Sequence, residues 1–142
     1  MHPLTFGRDS VRASMIAPWL EPSTIQTIMT ACRALVPDKI FLWNPDGKYL
    51  RHHYANPKSK HYAGPEKILG HYIQEVLPAE TGEQVLSVMR VAWLVRQMQC
   101  CTIQLPLEGV NHKVCIRFFP NQHSIIGLVN DFNVATTLAQ VS

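Results

Sequence analysis

The chain has 142 residues, 46% of them hydrophobic and 16% charged, with a formal net charge of +3. That length suits one domain with a single sizeable core, and the balance of apolar and charged residues excludes a disordered chain. Basic residues are scattered apart from a cluster at 58–67, which argues against a nucleic-acid face, and the mid-chain run Val91-Ala92-Trp93-Leu94-Val95 is far too short to cross a bilayer.

The first ten residues are polar and interrupted, unlike a secretory leader, so a cytoplasmic protein is expected. Pro3, Gly7, Pro18 and Pro22 break any period in the opening arm. With Ser23 or Thr24 as cap, Ile25, Ile28, Met29, Cys32 and Leu35 or Val36 recur at three- and four-residue spacing. This predicts an amphipathic helix over 23–35, stopped by Pro37. Next comes "FLWNPDGKYLRHHY", two β-prone runs, 39–44 and 48–54, hinged on Asn44-Pro45-Asp46-Gly47. Pro45 pre-sets the second turn position, Asp46 can bond back to the backbone, and Gly47 accepts the conformation that ends the turn. The following segment is rich in Pro, Gly and small polar residues and admits only short helices, one over 66–69 between Pro65 and Gly70.

From 79 to 99 the period is helical, with Glu80 or Thr81 opening the helix and Val85, Val88, Met89, Val91, Ala92 and Val95 on one arc. The last third is strand-like: "CCTIQLPLE", a turn at Glu108-Gly109, "VNHKVCIRFF", a turn at Pro120-Asn121, and "SIIGLVNDF". Three strands with short turns make a meander. "NVATTLAQVS" opens a last helix, with Asn133 as its cap. An α+β domain follows: a five-stranded antiparallel sheet with helices on one face and an N-terminal amphipathic helix.

This order resembles the PAS domain, the small sensor and interaction module of bacterial signalling proteins. "IFLWNPDGKYL" resembles its first hairpin, "GPEKILGHYIQEVLP" its Pro-Glu-Glu-Ile-Ile-Gly-Lys stretch with the following Leu-Pro, and Asp131-Phe132-Asn133 its terminal Asp-Ile-Thr. The resemblance implies an N-terminal arm and helix over 1–36, a PAS domain over 37–133 and the start of an exit helix over 134–142. It also implies a ligand pocket between the long helix and the sheet. Haem-binding members place an axial His on or beside the long helix, and 79–99 contains none; His52, His53, His61 and His71 precede it. The photoreactive flavin subclass needs a Cys before the long helix, and none lies between Cys32 and Cys100. Neither cofactor is expected, which leaves room for a non-photoreactive flavin or an unidentified small ligand.

The remaining candidates come from the residues themselves. His52 and His53 point to opposite sides of a strand and cannot chelate one ion together, so no metal is expected. Cys100 and Cys101 also face opposite ways, one into the core, with no basic neighbour in the sequence to activate a thiol. Alternation puts Val110, His112, Val114, Ile116 and Phe118 on one face, which places His112 near the pocket rim, either contacting an acidic ligand or, the more common case, partly exposed and bonded to a loop carbonyl. Arg96 falls within the helix arc, either reaching a ligand carboxylate or sending its head to solvent over an apolar stem. Gly127 leaves room for a ligand or for a close-packed neighbour. With Met89, Ala92 and Ile116, these residues make up the candidate pocket, and Asp131 and Asn133 the signal exit.

No nucleophile–base pair, paired acids or phosphate-cradling loop is present, so no enzyme is expected. The reading is a non-catalytic sensory or interaction domain, the input piece of a regulator such as a histidine kinase, diguanylate cyclase or DNA-binding regulator. It would pair as a homodimer through the N-terminal helix and the outer sheet face, which carries Phe119, and would contact an output domain but neither membrane nor nucleic acid. A stand-alone dimerising adaptor is the chief alternative, and a small-ligand enzyme the third.

Overall fold

The computed structural model describes residues 19–21, 26, 30, 36–56, 58 and 62–132. The helix expected over 23–35, apart from Gln26 and Thr30, and the exit helix with Asn133 lie outside the described residues. Along the chain come β1 (Lys39–Trp43), β2 (Tyr49–Tyr54), α1 (Pro65–Ile68), α2 (Ile73–Val76), α3 (Ala79–Val95), β3 (Gln99–Leu107), β4 (Val110–Pro120) and β5 (Ile125–Phe132). The strands form one sheet in the order β2-β1-β5-β4-β3, every neighbouring pair antiparallel.

The first hairpin turns on Asn44 rather than Asp46. Asn44 Oδ1 accepts the backbone N–H groups of Asp46 and Lys48 at 3.0 and 2.9 Å, and its carbonyl accepts Gly47 N–H at 2.9 Å. An Asx turn of this kind needs the carboxamide one position before the proline. Gly47 has φ +91°, and a Cβ there would lie 2.6 Å from Leu86 Cδ2. The turn tip is thus clamped against α3, and Ile73 N–H donates to Gly47 O at 2.8 Å.

On the inner face, Trp43, Tyr49, Phe118, Ile125 and alternate residues of β3 and β4 pack against Ile73, Val85, Leu86, Met89 and Ala92. The buried arc of α3 is rotated from the sequence expectation. Leu86 is buried and Trp93 packs on the core, whereas Val91 and Val95 are about half exposed. Apolar valines on both flanks of the stripe blur its centre in a pattern reading. The helix also stops at Val95, four residues early. Arg96 takes a left-handed conformation (φ 58°) and donates its N–H to Ala92 O, and β3 starts at Gln99. On the outer face Ile40, Ile126 and Leu128 are buried beneath Leu20, with Trp19, Leu42 and Phe119 around them. Trp19 Nε1–H donates to the His52 carbonyl at 3.2 Å, tying the arm to the sheet. That part of the outer face, including the neighbourhood of Phe119, is therefore covered by the chain itself.

Candidate functional site

Between the sheet and the helices lies a cavity of about 60 Å³, counted as space open to the centres of water-sized atoms. One wall is aliphatic, from Ile103, Leu105, Leu107, Val114 and Ile116; the other is aromatic, from Phe41, Trp43, Tyr49 and Tyr54. The rings of Phe41, Trp43 and Tyr49 stand 5.3 to 5.7 Å apart in tilted and edge-on arrangements that favour their quadrupoles. Trp43 Nε1–H is buried without a side-chain or backbone acceptor in hydrogen-bond geometry, in a residue only 1% exposed.

At one end the lining becomes charged, with Lys39 and Asp131. Strand parity explains both. Lys39 alternates with Phe41 and Trp43 on β1, and Asp131 with Val129 on β5, where Lys39 and Val129 are register partners. His112 stands behind Asp131, only 5% exposed, its Nδ1 hydrogen-bonded to both carboxylate oxygens at 2.8 and 3.0 Å. The backbone N–H of Asp131 donates to Asp38 Oδ2 at 2.8 Å, and Asn56 Nδ2–H donates to Asp38 Oδ1 at 3.0 Å. Burial lowers the Lys39 pKa from its ordinary 10.5, and the nearby carboxylates of Asp131 and Asp38 only partly offset it. Burial also raises the phenol pKa of Tyr49, and pushes that of Tyr54 up to about 12 with help from Glu66.

The predicted pocket residues separate. Ile116 lines the cavity. Met89 and Ala92 are fully buried in the helix–sheet core but are not part of its lining. Arg96 lies away from it, its guanidinium 4.5 Å above the Trp93 ring and its Nη2 donating to Asn121 O at 2.6 Å, because the helix ends there and turns the side chain outward. Gly127 gives its room to the protein: a Cβ there would sit 2.2 Å from Trp43 Cζ3. His112 is not at the rim but one layer behind it, holding Asp131. Asp131, expected at the signal exit, turns its carboxylate to His112 and the cavity. Sequence reasoning missed Lys39, whose alternation with Phe41 and Trp43 was the available signal.

Cys101 faces the core, and burial, then Cys115 and Cys100, push its thiol up to about 12. Cys100 is exposed, and the register sets Arg117 directly opposite it, a basic neighbour the linear sequence did not reveal. Among the described residues, no three His, Cys, Asp or Glu side chains group as a metal site.

No protein-family model and no curated protein matches the sequence. Solved structures do. The PAS domain of Bordetella pertussis BvgS superposes with a TM-score of 0.56 at 15% identity, over 84% of this chain and 94% of that one. The PAS domain of the Cronobacter turicensis quorum-sensing receptor RpfR, in complex with BDSF, gives 0.56 at 7% identity, over 68% and 95%. The chain has a PAS-like fold. Vibrio cholerae VqmA, solved as a dimer, matches with a TM-score of 0.58 at 11% identity, over 77% of this chain and 52% of that one. The PAS-like chain thus spans about half the length of this relative. None of its described helices is long and apolar enough to cross a membrane.

Proposed function

We propose that this PAS-like domain is a non-catalytic sensor that holds a small molecule in its cavity and passes occupancy to the flanking chain as the input piece of a larger regulator. The carrying observation is the charged pair Lys39 and Asp131 set into an otherwise apolar cavity between helices and sheet. Folding alone gains nothing from ionisable groups there, whereas convergent polar groups in an apolar pocket orient a ligand. The RpfR and VqmA structures, solved with BDSF and with DPO, support the reading by fold analogy. Asp131 supplies a route outward. Its N–H bonds Asp38 at the entry to β1, and its neighbour Asn130 donates to Val36 O. We place the signal exit at Asp131 and Asn133, and a homodimer through the N-terminal helix belongs to the same proposal.

Protein-observed NMR with a set of small apolar fragments tests this. Binders should shift Phe41, Ile103 and Ile116 together, and Ile103→Trp should abolish those shifts by filling the space. Shifts confined to the outer surface would refute a ligand-holding cavity.

A second reading, an interaction adaptor, is favoured by one observation. Val91, Leu94, Val95 and Met98 form an exposed apolar stripe on and just past α3, with Leu94 78% exposed. Leu94→Lys should then disrupt a partner complex while leaving fragment binding untouched.

A further inference from the structure

Resting on the cavity as a ligand site, we infer that its ligand carries a quaternary ammonium head of about trimethylammonium size, held on aromatic rings near Asp131. Charge sets the sign. Asp38, Asp131 and Lys39 gather at one end of the cavity, with His112 hydrogen-bonded to Asp131. Lys39 enters the count as an ion already matched by these carboxylates, and no ligand bond is asked of it. With His112 neutral, two carboxylates face one ammonium and leave one excess negative charge. The Glu66 carboxylate, close enough to act on Tyr54, adds to the same sign. A cation cancels the excess, an anion doubles it, and an uncharged ligand leaves it unmatched. Protonation of His112 would cancel it too, so ligand and proton compete for one charge.

The hydrogen bonds select the kind of cation. Both Asp131 oxygens are bonded to His112 Nδ1, Asp38 Oδ1 accepts from Asn56 Nδ2, and Asp38 Oδ2 accepts from the Asp131 backbone N–H. What stands in excess is therefore charge more than empty acceptors. A head without N–H groups answers the charge and disturbs none of these bonds.

The rings supply its contact surface. Phe41, Trp43, Tyr49, Tyr54 and Tyr62 all line the cavity. Tyr54 is the register partner of Lys39, which brings a ring to the charged end itself. Ring faces attract a cation through their quadrupoles, most strongly where water is excluded. The cavity, at about 60 Å³ for water-sized centres, holds roughly four to six heavy atoms, which suits one nitrogen with its four carbons.

Three small probes separate these claims: choline; 3,3-dimethylbutan-1-ol, in which carbon replaces the charged nitrogen; and ethanolamine, in which N–H groups replace the methyls. NMR titrations of the full chain at pH 8, where imidazoles are mostly neutral, should give choline a dissociation constant at least tenfold below each of the others. Asp131→Asn, close in shape, should erase the advantage over the alcohol while leaving the alcohol's own affinity unchanged, which also shows the cavity intact. Asp38→Asn serves in its place if that variant does not fold. Phe41→Leu should weaken choline more than the alcohol, because only the cation gains from a ring face. An advantage over the alcohol below tenfold, or one that survives loss of the carboxylate, would overturn the cation. Ethanolamine binding as tightly as choline, or equal weakening of choline and alcohol by Phe41→Leu, would overturn the quaternary head on its rings. Each of those results leaves the cavity as a ligand site. Absence of cavity shifts with all three probes would overturn both.

Discussion

At one end of the inner layer Gly127 yields its side-chain space to the indole of Trp43, and Phe118 and Ile125 complete the packing without exposure. Four residues back along β1, Lys39 enters the same layer as a charged group, facing Asp131 with His112 behind it. The strands are the same and the parity is the same, yet one end is filled by the protein and the other sets charged groups beside a cavity. The closed end contributes apolar burial and close packing. The charged end bears a desolvation cost, which under the proposed function is the cost of holding a ligand.

The comparison breaks most sharply at Gly127. Gly127→Val forces atoms into the Trp43 ring and should cost about 3 kcal/mol or more in urea unfolding. A loss below about 1 kcal/mol would mean that the indole can move aside, and the closed end would not be closed. His112→Ala leaves the Asp131 carboxylate buried without its partner and should cost about 2 kcal/mol by the same measurement. An unchanged midpoint would show that Asp131 is served by solvent, and the charged end would then be a surface.

Lys39→Met should act in the opposite direction, raising stability by about 1 kcal/mol because burial of the ammonium outweighs its carboxylate attraction. Destabilisation instead would make Lys39 a structural ion-pair partner and erase the contrast between the ends. The mildest test is alkaline. The fold holds the Cys101 thiol neutral, so its contribution is full below 9.0 and is lost as pH rises through about 12. Cys101→Val should therefore flatten the decline in melting temperature above pH 9, and an unaltered slope would show that the raised thiol pKa has no weight in stability.

The closed end was the more legible in the sequence. The first hairpin, the meander and the inward alternation of β4 all follow from local turn chemistry and period two. Gly127 could be read as either of two things, and its occupant could not, since Trp43 is 84 residues distant in the chain and meets it only through β1–β5 register. The charged end was less legible for a different reason. A lysine opening a strand draws no notice by itself, and Asp131, two residues before the Asn133 cap, reads as part of the signal exit, so nothing in the local pattern sets the two against each other across the sheet. Arg96 was drawn into the pocket by a helix counted four residues too long, and a left-handed terminus at an arginine gives no sequence warning.

The register at the charged end also sets how the domain responds to force. Asp38 N–H donates to Val129 O, and Asn130 donates to Val36 O, so the chain enters β1 and leaves β5 side by side at one end of two antiparallel strands. Hydrogen bonds between such strands run perpendicular to them. Tension that draws Val36 and Phe132 apart would load those bonds singly, from the flanks inward, as a zip opens. The domain is then mechanically soft along its own chain direction, and the first contacts to part are the ones that join Asp131 to Asp38.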